Sequence, residues 1–83
     1  MFLNAGNEEI RKKNIIGVFD LDTATVSKKT RDFLAAAEKN GQVSLLTYDL
    51  PRSFILTAEE DGQKVYLSQY SAGTLLTRAE EIY

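Results

Sequence analysis

Four short segments of this chain are apolar at consecutive positions, and this pattern limits the folds that the chain can adopt. They are Ile15-Ile16, Leu45-Leu46, Phe54-Ile55-Leu56 and Val65-Tyr66-Leu67. Neighbouring side chains of a β-strand point to opposite faces of the sheet, so strands of this kind are apolar on both faces. A sheet with one face in water alternates apolar and polar residues instead. Both faces of the sheet must therefore be covered.

Turn and cap residues divide the 83 residues into the elements of one small α+β domain, spanning residues 1–83. Ser27 is a plausible N-cap for a first helix that the Asn40-Gly41 pair ends, and Ser71 can cap a second. On the second helix Leu75, Ala79 and Ile82 recur at helical spacing. Strands are predicted at 15–19, 43–47, 53–58 and 63–68, with a further short strand at 2–3 before a turn over Asn4–Asn7 centred on Gly6.

The order is βαβββα or close to it, which predicts a mixed or antiparallel sheet of about four strands with two helices. Glu59–Gly62 is expected to close a hairpin between the last two strands. On the first helix, Lys28 and Asp32 are spaced to pair at i,i+4. At helical spacing, one face of the first helix carries Thr30, Phe33, Leu34 and Ala37.

The domain is predicted to associate with itself. Four strands span roughly 19 Å, and two helices about 10 Å across would cover one face only, leaving an apolar face too large for a monomer. The alternative places one helix on each face and leaves smaller gaps. The residues predicted at the interface between copies are Ile15, Phe54, Leu56 and Tyr66.

The residue types restrict the chemistry. The chain contains no Cys and no His, which excludes disulfides and any Ser-His or Cys-His nucleophile. Asp20-Leu21-Asp22 after an apolar strand has the form of a phosphatase nucleophile motif, but that motif needs further partners and a doubly wound sheet. We prefer the structural interpretation, a strand that leads into an Asp/Thr-rich loop before a helix cap. We expect no enzyme activity, no cofactor, no metal and no small-molecule substrate.

Basic residues offer one possible contact with DNA. The net charge is −2, so phosphate binding would need cations gathered on one face. Arg11-Lys12-Lys13 is the one dense basic cluster, Arg52 follows the turn at Pro51, and Lys28, Lys29 and Arg31 open the first helix. An oligomer would repeat the cluster at every copy and so raise its avidity for DNA. The alternative is an ordinary solvated surface.

The chain is expected to be cytoplasmic and without a membrane segment. Its first residues lack the charged region and long apolar run of a signal peptide. Nowhere does the sequence approach the ~20 apolar residues of a membrane span.

Several segments together resemble a known family of bacterial regulators. They are Phe2–Gly6, Ile15–Thr23, Thr30–Leu34, Leu50–Thr57, Val65–Ser68 and Ser71–Leu76. In order and spacing they are similar to the RemA/RemB family of extracellular matrix regulators of Gram-positive bacteria, and to its RemB branch more than to its RemA branch. The resemblance implies a regulator of biofilm matrix genes that assembles into a ring.

The resemblance implies DNA binding less directly. In RemA-type members an arginine pair follows a Thr-Tyr dipeptide, and the matching positions here are Leu50 and Pro51, with only Arg52 nearby. A second basic position falls at about Asn14, beside Lys13. Two hypotheses stay open: an oligomer that contacts the DNA backbone through Arg11, Lys12, Lys13 and Arg52, and an oligomeric adaptor that contacts only proteins.

Overall fold

The computed structural model describes residues 2–6, 9–24 and 27–81, and it confirms an α+β domain. Asn7 of the predicted first turn and Ile82 of the last helix lie outside these residues. In chain order the elements are β1 (Phe2–Asn4), β2 (Glu9–Arg11), a 3-10 turn (Lys12–Asn14), β3 (Ile15–Asp20), α1 (Leu21–Ala24), α2 (Lys28–Lys39), β4 (Val43–Leu45), β5 (Ser53–Glu59), β6 (Gly62–Ser68) and α3 (Ala72–Glu81).

The main sheet is four-stranded and mixed. Its strand order is β3-β5-β6-β4, with β4 parallel to β6 and the other neighbours antiparallel. The predicted hairpin joins β5 to β6: Glu59 pairs with Gly62 across the two residues Glu60 and Asp61, and Gly62, the first residue of β6, has a positive φ of +120° that glycine adopts readily. A separate antiparallel pair, β1 and β2, precedes this sheet.

Each face of the main sheet is covered by one of the two long helices. Ala37 of α2 is buried with Phe54 and Val65 on one face. Leu75 of α3 is buried with Ile55 on the other face, together with side chains from the β1–β2 hairpin. The prediction that both helices share a face is therefore wrong, and the alternative of one helix on each face is correct. A single chain covers both faces of its strands, so the pattern of consecutive apolar residues does not by itself require a second copy.

The helix ends follow the sequence closely. The Ser71 hydroxyl accepts a hydrogen bond from the Thr74 N–H at 3.2 Å, which makes Ser71 the N-cap of α3. Ser27 flanks α2 as expected, although its side chain makes no capping hydrogen bond. At the other end of α2, Gly41 has a φ of +70° and its N–H donates to the Glu38 carbonyl. The predicted Lys28–Asp32 ion pair is present at 3.7 Å.

Hydrogen bonds hold the β1–β2 hairpin against the main sheet. The Ser68 hydroxyl donates to the Ala5 carbonyl at 2.5 Å in a buried position. Arg78 of α3 donates to the Asn4 carbonyl at 3.2 Å while its guanidinium lies 4.0 Å above the Tyr70 ring. Gly6 has a φ of +143°, and a Cβ there would overlap the Leu46 carbonyl. The predicted turn around Gly6 is thus a close approach between hairpin and sheet.

Candidate functional site

The structure does not bring the four predicted DNA-binding cations together. Arg11 ends β2, and Lys12 and Lys13 lie in the 3-10 turn just before Ile15, which pairs with Thr57 near the end of β5. Arg52 immediately precedes β5, and its carbonyl accepts the Leu21 N–H at 3.0 Å. Since a strand rises about 3.3 Å per residue, Arg52 lies roughly 20 Å from the Arg11–Lys13 cluster along β5. The four cations do not form one basic rim within a single chain.

The cluster faces acidic residues across an open cleft beside the β5–β6 loop. We call this cavity of about 650 Å³ the hairpin cleft; it is lined by Arg11, Lys13, Asn14, Ala58, Glu59, Glu60, Asp61 and Lys64. Lys64 Nζ lies 3.6 Å from Glu59 Oε1 and 3.7 Å from Asp61 Oδ2. Three cations and three carboxylates therefore share the cleft, which weakens its attraction for phosphate.

Glu59 keeps its negative charge in this cleft. Its Oε2 accepts hydrogen bonds from the Tyr66 hydroxyl at 2.7 Å and the Thr57 hydroxyl at 2.9 Å. The Tyr66 hydrogen bond is the main reason why the pKa of Glu59 falls below its ordinary value, and the Thr57 hydroxyl and Lys64 also lower it against the opposing effect of burial. The fold thus keeps the Glu59 carboxylate ionised beside Lys64 in the cleft.

Two of the four predicted interface residues are already buried inside the chain. Phe54 is 3% exposed in the core under α2, and Tyr66 is 8% exposed in the core on the opposite face. Their side chains offer little surface to another copy in this fold, and their role at an interface stays a prediction. Ile15 and Leu56 are half-buried at the margins of the two cores.

Other apolar side chains are exposed instead, and strand register explains why. Phe19 pairs with Phe54, Phe54 with Leu67, and Leu67 with Leu45, so these four form one row across the sheet on the α2 face. The middle of the row lies beneath α2. Its two ends extend past the helix, leaving Phe19 exposed on β3 and Leu45 65% exposed on β4.

A groove of about 250 Å³ opens between α2 and the β3 side of this row. Its lining is mainly apolar: Phe19, Lys29, Thr30, Phe33, Phe54 and Leu56. The Phe19 ring stacks on Phe54 with 5.0 Å between ring centroids. We call this cavity the α2 groove. It is open on the protein surface and presents aromatic rings to whatever enters it.

The loop that joins β4 to β5 carries two more exposed apolar residues at the same end of the sheet. Tyr48 is 100% exposed and Leu50 is 88% exposed. The Thr47 hydroxyl is buried at the base of the loop and accepts the Asp49 N–H at 3.0 Å. Together with Phe19, Phe33 and Leu45, these side chains make up what we call the apolar end. The sequence pattern placed Leu50 in a turn at 48–51 and at a position without arginine, but it did not predict an exposed apolar surface there.

The remaining candidates are the two aspartates of the Asp20-Leu21-Asp22 string. Asp20 ends β3 and Asp22 lies in α1, and both are exposed. Across residues 2–6, 9–24 and 27–81, no three acidic side chains are grouped so as to bind a metal ion. Within the same ranges, every helix is too short or too polar to cross a membrane.

Comparison with protein families and with curated proteins gave no match. No protein-family model matches the chain, and no curated protein matches it. The resemblance to the RemA/RemB regulators stays a prediction from the sequence.

Proposed function

We propose that this chain is a small, non-catalytic cytoplasmic regulator of extracellular matrix (biofilm) gene expression that acts as a homo-oligomer. The matrix role is supported by the six sequence segments that resemble the RemA/RemB family. The absence of His and Cys from the sequence supports a role without catalysis. Self-association is supported by a separate observation on the structure.

That observation is the apolar end. Five large apolar side chains are exposed at one end of one small domain: Phe19, Phe33, Leu45, Tyr48 and Leu50. Exposed apolar side chains that cluster on a soluble protein often mark a surface for contact with another protein. Burying a large apolar side chain is worth about 1.5–3 kcal/mol, so contact between apolar ends would provide a substantial driving force for association.

The geometry favours the adaptor version of this function over direct DNA binding. Arg52 lies at the opposite end of β5 from the Arg11–Lys13 cluster, and carboxylates share the cleft with that cluster. The exposed residues that stand out are apolar. An adaptor of this kind would present the apolar end to other protein subunits and use no nucleic acid.

Direct DNA binding is the second candidate, because Arg11 and Lys13 line the same open cleft. In an oligomer each copy would repeat this pair, and the weak contacts would add. Binding would then fall steeply as salt concentration rises, since every phosphate contact releases counterions.

One set of chromosomal variants tests the function and separates its two versions. Deleting the gene in the organism that encodes the chain is expected to change transcription of its matrix genes, measured with a reporter. Tyr48→Ser with Leu50→Ser is expected to reproduce the deletion, because it removes the apolar loop. Arg11→Glu with Lys13→Glu is expected to leave transcription intact under the adaptor version. Lys39→Glu, an exposed charge at the end of α2, is the matched control for charge reversal.

The outcomes are distinct. Unchanged matrix transcription after deletion would contradict the proposed function. Loss of regulation in Arg11→Glu with Lys13→Glu, together with retarded migration of long duplex DNA by the parent protein at low salt, would replace the adaptor version with the DNA-binding version.

A further inference from the structure

We propose that the Tyr48–Leu50 loop of one copy docks into the α2 groove of a second copy of this chain. The inference rests on the proposed self-association and specifies the two surfaces that meet. Both surfaces are on every copy, at the same end of the sheet but at different places on it. Tyr48 is fully exposed, so the loop does not occupy the groove of its own chain.

The α2 groove has the size and lining for an apolar side chain. Its volume of about 250 Å³ corresponds to about eight water molecules in the liquid, which is enough room for a tyrosine side chain. Phe19 and Phe33 form its walls, and Phe54 lies at its base with only 3% exposure. An aromatic lining favours offset or edge-to-face contact with a tyrosine ring.

Two local restraints limit the backbone conformations of the loop. The buried Thr47 hydroxyl holds the Asp49 N–H, and Pro51 restricts its own φ and favours an extended backbone at Leu50. A loop restrained in this way loses less conformational entropy on docking than a mobile one. Tyr48 and Leu50 therefore extend from the domain as an anchor already formed before contact.

Charge complementarity selects a second copy as the occupant. Asp49 lies between Tyr48 and Leu50 and is exposed, while Lys29 lines the groove. The neighbouring Lys28 already pairs with Asp32, and Lys29 forms no ion pair among the described residues. A loop with an acid between two apolar residues thus matches a groove with apolar walls and a cation in its lining.

Docking by side chains suits this domain better than strand addition. The outer strand β4 is only three residues long, and the other outer strand, β3, has a register shift between Ile15 and Gly17. Short edges and bulges are features that discourage edge-to-edge pairing. The loop and the groove avoid both edges.

Complementation between two variants tests the inference. The loop variant is Tyr48→Ser with Leu50→Ser, and the groove variant is Phe33→Glu, which puts a negative charge where Asp49 would approach. Each variant alone is expected to associate at least roughly tenfold more weakly than the parent, as loss of a central interface residue typically causes. A one-to-one mixture is expected to recover a two-chain species, because one variant keeps its groove and the other keeps its loop.

Sedimentation velocity measures these species, and circular dichroism checks that each variant is folded. Leu76→Gln is the matched control, since it removes an exposed leucine from α3 on the other face of the sheet; it is expected to associate like the parent. Because Tyr48 and Leu50 are exposed, the loop variant keeps the test valid even if Phe33→Glu fails to fold.

Three results would overturn the inference. If the parent associates and the loop variant associates equally well, the loop is not the contact, although the proposed self-association stands. A parent that is itself a monomer would overturn both the inference and the self-association. If both folded variants are monomeric and their mixture remains so, loop and groove are not partners of each other.

Discussion

Glu59 illustrates what single residues contribute that the sequence pattern does not reveal. The string Glu59-Glu60-Asp61-Gly62 predicts a hairpin loop, and the loop is there. Nothing in that string singles out Glu59 from Glu60. Thr57 lies two residues before Glu59 on the same face of β5, but only the antiparallel register brings the Tyr66 hydroxyl to the same Glu59 oxygen. The role of Glu59 depends on pairing between strands, which sequence periodicity does not specify.

The lowered pKa of Glu59 makes its contribution to stability depend on pH. The folded chain holds Glu59 ionised at pH values where the unfolded chain, with a pKa near 4.5, takes up a proton. Glu59 therefore stabilises the fold above that pKa, and the stabilisation is lost as pH falls through the lower folded pKa. Glu59→Gln is expected to reduce the free energy of unfolding by about 1 kcal/mol near neutral pH.

Urea denaturation at neutral pH and at about pH 3 measures this effect. The difference between parent and Glu59→Gln should shrink at the lower pH. Glu60→Gln, at the exposed neighbour, is the control and should change little at either pH. An equal difference for Glu59→Gln at both pH values would show that the carboxylate charge is not what stabilises the hairpin.

At the scale of elements, the sequence predicted the helices and strands whose positions depend on local features such as apolar runs, helix caps and glycines. β3, β5, β6, α2 and α3 lie where apolar runs, caps and glycines indicated. β2 and α1 were not predicted, because segments of three or four residues are too short to show a periodic pattern of apolar residues. β4 ends at Leu45 rather than at the predicted Thr47. Its parallel pairing with β6 joins segments distant in sequence, and local pattern gives no signal for it.

Gly17 of β3 lies next to the α2 groove, because it contacts the Phe19 ring that lines the groove. It follows the register shift in β3, and a Cβ at Gly17 would lie 2.7 Å from the tip of the Phe19 ring. Gly17→Ala is expected to push this ring off Phe54 and to cost about 1 kcal/mol of stability, the size of an aromatic pair. Ring-current shifts of Phe54 in NMR spectra would report the displacement.

Gly73→Ala provides the matched control for this prediction. Gly73 lies in α3, where the nearest atom to an added Cβ is 4.0 Å away, so alanine should raise stability by about 0.5–1 kcal/mol through helix propensity. If Gly17→Ala instead leaves the Phe54 signals unchanged, Phe19 does not rest on Gly17 in solution.

At the scale of the whole molecule, covering both faces of the sheet changes the argument for self-association. Strands apolar on both sides are accounted for within one chain, by α2 on one face and by α3 with the N-terminal hairpin on the other. The sequence showed that the strands are apolar on both faces, but it did not show on which face of the sheet each helix packs. What supports association is the apolar end, where the Phe19–Leu45 row is wider than the helix above it.

The two ends of β5 therefore have different characters. One end has the hairpin cleft, in which cations and carboxylates balance. Phe2 and Ile16 are also exposed near that cleft, whereas the other end exposes Phe19, Leu45, Tyr48 and Leu50 together with Arg52. This division explains why a basic cluster that stands out in the sequence becomes a weak candidate for phosphate binding in the fold, while a loop without arginines becomes the strongest candidate for protein contact.

The central claim is that copies of this chain associate through their apolar ends, and the molar mass in solution tests it most directly. Light scattering during gel filtration at micromolar concentration should give at least twice the 9.3 kDa of one chain. The mass should persist at about 1 M salt, where interactions between exposed charges are screened but apolar contacts remain. A single species of 9.3 kDa across that concentration and salt range would contradict the account.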